Sequence, residues 1–265
     1  MKPSLLTPEE AAAVRFYEGD LTGLPAGDPF YADEKAYVSL NALLFPGIGS
    51  EVTRVREGKR LNPALPADLP RLTALCRALL SAAKKGAKPR QTEGFRVERT
   101  ADFSDVAAAG ETKAFTSTAA DGFLPAYGDK NGIVLLHFTV PAGTPCIDMA
   151  ELLPVYRKAD EREILLPPFL PFSVSERPLT DAERQITDQS GDPPSAAYEL
   201  LLSGQPAPSG TAKPPLPFPA EALSVWEALN AGTDPAALPQ NAVRTLLRCK
   251  KRFAAWLRSI AIFGE

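Results

Sequence analysis

Glu161-Arg162-Glu163-Ile164-Leu165-Leu166-Pro167-Pro168-Phe169 sets two acidic side chains two apart at the head of an apolar run, with Pro171-Phe172-Ser173-Val174 behind it. Side chains of a strand alternate between its faces, so the run predicts a strand carrying Glu161 and Glu163 on one side and Arg162 on the other. Two carboxylates sharing so small a volume raise the pKa of one of them unless both are solvated or paired. The stretch is therefore either an exposed strand end or an acid/base site, and its sequence neighbours decide between them.

Outward from this run the same period recurs. Gly94 to Thr100 alternates apolar with charged residues, and Glu111 to Thr118 contains the strand-like Ala114-Phe115-Thr116-Ser117-Thr118. Ile133 to Val140 is almost uninterruptedly apolar and ends in Pro141-Ala142-Gly143, which predicts a central strand buried on both faces. Phe169 to Val174 and Ala197 to Leu202 complete a compact β core.

Helices flank it. Thr7-Pro8-Glu9-Glu10 carries an N-cap, a proline at the first helical position and acids in the first turn, so a helix runs on to about Glu18. Ala36 to Phe45 and Pro66 to Lys85 show apolar residues at helical spacing, the latter at Leu69, Leu72, Leu75, Cys76, Leu79 and Leu80. Ser203 to Pro219 is rich in Gly, Pro, Ser and Ala and reads as a linker. Ala220 to Asn230, with Trp226, and Gln240 to Phe263 predict two more helices. The last is basic through Arg244, Arg248, Lys250, Lys251, Arg252 and Arg258, which makes either the solvated face of a docked helix or a membrane-surface contact. The expected organisation is residues 1–204 as one domain (helical over 1–90, β core over 91–204), a linker over 205–219, and a C-terminal helical appendage over 220–265.

Composition narrows the class. A hydrophobic fraction of 45% in 265 residues supports a packed core, and a net charge of −3 argues against a general nucleic-acid binder. There are 27 prolines, about twice the ~5% average, gathered in connections. Cys76, Cys146 and Cys249 are odd in number and widely spaced, and His137 is the single histidine, so neither a zinc site nor a disulfide framework is expected. His137, in mid-strand, reads as a hydrogen-bonded core residue. The N-terminus lacks a signal-peptide pattern and no run approaches the ~20 apolar residues of a membrane span. The expectation is a soluble chain, cytoplasmic or exported into a target cell without a signal peptide.

In chain order, Phe95-Arg96 (with Arg99), Phe115-Thr116-Ser117-Thr118 and Glu161-Arg162-Glu163 resemble the arginine, Ser-Thr-Ser and Glu-x-Glu pattern of mono-ADP-ribosyltransferases of the cholera-like and vertebrate arginine-specific class. Val134 to Thr144, with its Pro141-Ala142-Gly143-Thr144 ending, is similar to that family's central strand and turn, and Glu161 to Pro168 to its Glu-x-Glu strand. The resemblance covers residues 5 to 202. It departs at Ala119, where the motif has a second serine, at Val97, often glycine, and at Lys158, often aromatic, the nearest aromatic here being Tyr156. The segment from Pro206 onward has no counterpart.

The resemblance implies an α+β fold in which a pair of packed β-sheets frames an NAD cleft. It implies a glycosyl transfer of ADP-ribose from NAD, used as a substrate without a metal, to a protein arginine, in a bacterial effector or toxin. The chemistry is consistent: cleaving nicotinamide from ribose builds positive charge on the sugar, which a carboxylate in a partly dry cleft stabilises. That role falls to Glu163, through the ribose 2′-hydroxyl, and Glu161 takes the proton of the acceptor arginine. Arg96 grips the pyrophosphate, with Arg99 as its rival and Val97 and Thr118 beside NAD. Ser117 holds Glu163 and the ribose in register. Phe123 or Tyr127 either stacks on the nicotinamide ring or plugs its loop onto the core, and Lys130 adds a second phosphate cation. Two alternatives stand beside this reading: an NAD glycohydrolase, and a non-catalytic interaction module of the same fold.

Overall fold

The computed structural model of the protein describes residues 5–32, 36–123, 132–152, 162–204 and 213–261. Its helices are α1 (Pro8–Glu18), α2 (Ala36–Leu44), α3 (Gly49–Arg56), α4 (Ala64–Ala67), α5 (Leu69–Lys85), α6 (Thr100–Ala109), α7 (Met149–Leu152), α8 (Ala220–Asn230) and α9 (Gln240–Ile260). Its strands are β1 (Thr92–Arg99), β2 (Thr116–Ala119), β3 (Ile133–Val140), β4 (Ile147–Asp148), β5 (Glu163–Leu166), β6 (Phe172–Arg177) and β7 (Ala196–Leu202). The architecture is α+β, in two units: a helical one, Leu6–Ser81 with Pro208–Ile262, and a strand-rich one over Ala82–Ala207.

In the helical unit, α1 opens on the predicted cap. The Glu10 amide donates to Thr7 Oγ1 and the Thr7 amide to Glu10 Oε2, a reciprocal capping box. The helix expected from Pro66 to Lys85 divides at Asp68, whose backbone leaves helical angles and whose carboxylate caps α5 by accepting from the Arg71 amide at 3.1 Å. The C-terminal helices, expected as an appendage, pack inside this unit. Trp226 of α8 is fully buried and donates to the Asn62 carbonyl, and Lys250 of α9 pairs with Glu51 of α3 out of solvent. The physical reason is α2, apolar nearly all round and buried along its length: such a helix needs neighbours on every side, and the apolar stripe of α9 covers one of them.

The strand-rich unit forms one seven-stranded sheet in the order β4-β5-β2-β1-β3-β7-β6, antiparallel except between β3 and β7. β3 lies between β1 and β7, as its apolar run predicts. Its Val134, Leu136, Phe138 and Val140 share a core with Ile164, Leu166 and Leu200, while Ile133 and Leu135 join Val97 and Ala197 on the other side. β1 and β3 pair along eight positions, whereas β1 meets β2 at the single pair Phe95↔Ala119. Two strand groups, β4-β5-β2 and β1-β3-β7-β6, are thus joined at one ladder position and share one core.

Two local departures from the expected elements have clear causes. Helix α6, not among the expected elements, follows β1 and buries Phe103 in the shared core; its signal is Ala107-Ala108-Ala109-Gly110, an alanine run closed by a glycine in the left-handed conformation (φ 64°). The strand expected from Phe169 starts instead at Phe172, because Phe169 itself is left-handed (φ 70°) among prolines 167, 168 and 171. Among the described residues no helix is long and apolar enough to cross a membrane.

Candidate active site

The three motif strands, far apart in the chain, are consecutive in the sheet: β5, β2, β1. Arg96 of β1 reaches across the narrow junction, its Nη1 donating to the Ser117 backbone carbonyl at 2.9 Å. Its Nε and Nη2 face Glu98 Oε2 at 2.8 and 2.7 Å. Residues two apart on a strand share a face, so Glu98 is built to orient this guanidinium. Glu98 is not among the residues singled out from sequence, and the Arg96-Val97-Glu98 spacing is the signal that points to it.

The close approach of β2 needs Gly94. A Cβ at that position would sit 2.5 Å from Thr118 Oγ1 and 2.9 Å from Thr118 Cβ. Thr118 is buried and its hydroxyl donates to the Ile164 carbonyl of β5 at 2.9 Å, so its side chain ties β2 to β5. Ser117 and Ala119 face the other way. Ala119 lies directly opposite Glu163, and Ser117 is diagonal to it, about 7–8 Å away in an antiparallel ladder, within reach of a glutamate side chain. Glu163 is 4% exposed. The alanine that replaces the motif's second serine therefore leaves a small side chain, not a hydroxyl, directly across from this carboxylate.

β5 begins at Glu163. Arg162 is left-handed (φ 41°), a conformation uncommon outside glycine, so the two-residue alternation cannot be carried back from Glu163 to Glu161. The shared face expected of the two acids does not follow. The Arg162 carbonyl accepts from the Ala120 amide and its exposed guanidinium pairs with Asp121 at 2.7 Å. Glu161, Tyr127 and Lys130, like Tyr156 and Lys158, lie outside the described residues.

The remaining candidates separate by face. Arg99 is three positions from Arg96 and so leaves β1 on the opposite side, the face of Phe95, Ala119 and Glu163; Arg96 is the one whose guanidinium reaches β2, at the Ser117 backbone carbonyl. Val97 is core, packed with Ile133, Leu135 and Ala197. Phe123 packs on this same core and edge-on against Phe95 at 5.2 Å, the plugging alternative of the two foreseen for it.

On that face a row of charges crosses the sheet. His137 stacks on Phe95 at 4.6 Å and its Nδ1 lies 2.7 Å from Glu199, with Glu93 at 3.5 Å from Nε2. His137 is thus bonded in mid-strand as expected, but half-buried on this charged face and not in the core. Glu199 also takes the Nε of Arg177 at 2.5 Å, and Arg177 forks onto Glu183 with bonds of 2.6 and 2.7 Å. Those bonds, with the Thr180 amide, hold the Glu183 carboxyl down at about 2 and push Arg177 up. Chemically, the site sets a guanidinium fork, suited to phosphate, on the strand next to one that carries a hydroxyl diagonal to a buried carboxylate.

No protein-family model matches the chain, and no curated protein sequence does. Among solved structures it is similar to the ADP-ribosylating toxin BECa of a Clostridium perfringens binary enterotoxin, crystallised with NADH, with TM-score 0.46, 15% identity, and coverage of 74% of this chain and 44% of that one. It is similar also to an ADP-ribosyltransferase from Clostridium botulinum (TM-score 0.44, 13% identity, 74% and 87% covered) and to exoenzyme S from Pseudomonas aeruginosa (0.40, 14%, 75% and 76%). The chain spans less than half the length of the first of these.

Proposed function

We propose that the protein is an NAD-dependent mono-ADP-ribosyltransferase that modifies arginine side chains, in the manner of a bacterial toxin or effector. The observation that carries this reading is that Arg96, Ser117 and Glu163 lie on three consecutive strands of the sheet, with the Arg96 guanidinium bonded to the backbone carbonyl of Ser117. Arg96 takes the pyrophosphate of NAD. Glu163, supported by Ser117, stabilises positive charge on the ribose as the C1′–N bond breaks and its electron pair leaves with nicotinamide. A guanidino nitrogen of the acceptor then bonds to C1′, and its proton passes to Glu161, the role that the Glu-x-Glu motif assigns it.

Incubation with labelled NAD and agmatine, then with a cell lysate and mapping of the modified side chain, tests this. Label is expected on arginine, with nicotinamide released. Glu163→Gln removes both transfer and NAD hydrolysis, whereas Glu161→Gln removes transfer and leaves hydrolysis. Equal loss in the two variants, or label on another side chain, overturns the assignment; hydrolysis without any transfer identifies a glycohydrolase.

A further inference from the structure

Lys213-Pro214-Pro215-Leu216-Pro217-Phe218-Pro219 leads into α8, and none of its residues is in a helix or strand. Every one of the seven is either a proline, with φ held near −65°, or precedes a proline, which disfavours the α region. The chain here is biased strongly toward extended conformations, the polyproline II helix among them, and Pro219 is found in that region at φ −70°, ψ 161°.

Burial along the segment follows that helix's period of three. Pro215 and Phe218, three apart, are the half-buried and buried positions and form the inward edge. Pro214 with Pro217, and Leu216 with Pro219, form two outward edges, all four exposed; Leu216, 50% exposed, is among the few large apolar side chains that solvent reaches in the described chain. The segment is also pinned, since Arg252 of α9 donates its Nε–H to the Pro214 carbonyl at 2.9 Å. Exposed Lys213 stands at the same end, and exposed Arg248 lies one turn of α9 from Arg252. The result is a rigid, solvent-facing proline ridge with an apolar tip and a cationic flank.

We propose that residues 213–219 are a preformed ligand for a protein domain that reads polyproline helices in an aromatic-lined groove with acidic residues beside it. The two outward edges supply the ridge that such a groove takes between its rings, and Lys213, Arg248 and Arg252 supply the charge complement to the acidic rim. A segment already held in its bound conformation pays little ordering entropy on docking. The segment belongs to the helical unit and carries none of the candidate active-site residues, so the proposal stands or falls apart from the enzymatic reading.

The full chain is titrated with a panel of purified SH3, WW and EVH1 domains, followed by calorimetry. Saturable binding to at least one domain is expected. It should weaken at least tenfold in the Leu216→Ser/Pro217→Ala double variant, and weaken as salt is raised. Both substituted side chains are exposed, so circular dichroism and the melting curve should match the parent's and separate lost docking from lost folding. The proposal is overturned if no domain binds at millimolar concentration, or if binding survives the double variant unchanged.

Discussion

Arg96 and Ser117 are joined side chain to backbone, Nη1 to carbonyl at 2.9 Å, across two strands that share a single ladder position. Where main-chain pairing is this sparse, one side chain holds the register of β1 against β2. The candidate phosphate cation is therefore also a structural clamp, and the two duties can be separated by experiment.

Arg96→Lys keeps the charge but replaces the planar fork, whose spread donors serve Glu98 and the Ser117 carbonyl at once, with a point charge that has no bidentate match to a phosphate. NAD affinity by calorimetry is expected to fall at least tenfold, about 1.4 kcal/mol. Arg99→Lys, on the opposite face, should leave it within twofold. Equal effects at the two positions would speak against the assignment of Arg96.

Gly94→Ala brings a methyl to 2.5 Å from a hydroxyl that is itself bonded to β5. Overpacking of this kind costs about 1–3 kcal/mol. The denaturant midpoint should drop accordingly with an unchanged slope. An unshifted midpoint would mean that β2 can retreat from β1 at no cost.

Glu183 sets an acid limb of stability. Its carboxyl is at about 2 in the folded chain against an ordinary 4.5, chiefly through Arg177. A depressed folded value contributes stability that is full above the unfolded pKa and is lost as pH falls from there through about 2. The contribution is up to about 3 kcal/mol. Urea midpoints between pH 6 and pH 2 should fall steeply in the parent and less steeply in Glu183→Gln.

Lys250 and Glu51 test the helical unit. Burial pushes the Glu51 carboxyl up and the Lys250 ammonium down, and Lys250 also donates to the Gly47 carbonyl at 2.5 Å. Lys250→Met alone strands a buried acid and should cost about 3–5 kcal/mol, while Lys250→Met with Glu51→Leu should recover most of it. Thermal melting of the single and double variants reads this directly.

Much of the fold is legible in residue order because periodicity and capping are local. The unbroken apolar run of β3, the Thr7/Glu10 box of α1 and the sequence Arg96, Ser117, Glu163 each announce themselves within a few residues. Helix α6 and the left-handed Phe169 are harder to read, since the signals there are a short alanine run and a cluster of prolines that fit several turns.

Residue order alone thus determined the main strands and the longer helices, and the order in which the motif residues occur. The tertiary structure decided which of them meet. Whether Arg96 or Arg99 reaches the Ser117 carbonyl, what Val97 and Thr118 pack against, and whether α8 and α9 stand apart or complete the helical unit all depend on neighbours dozens of residues away. The same holds at Arg162, whose left-handed turn ends the alternation that Glu161-Arg162-Glu163 suggested. A side chain's facing follows from local backbone, but its partner is chosen by long-range packing, which no short stretch encodes.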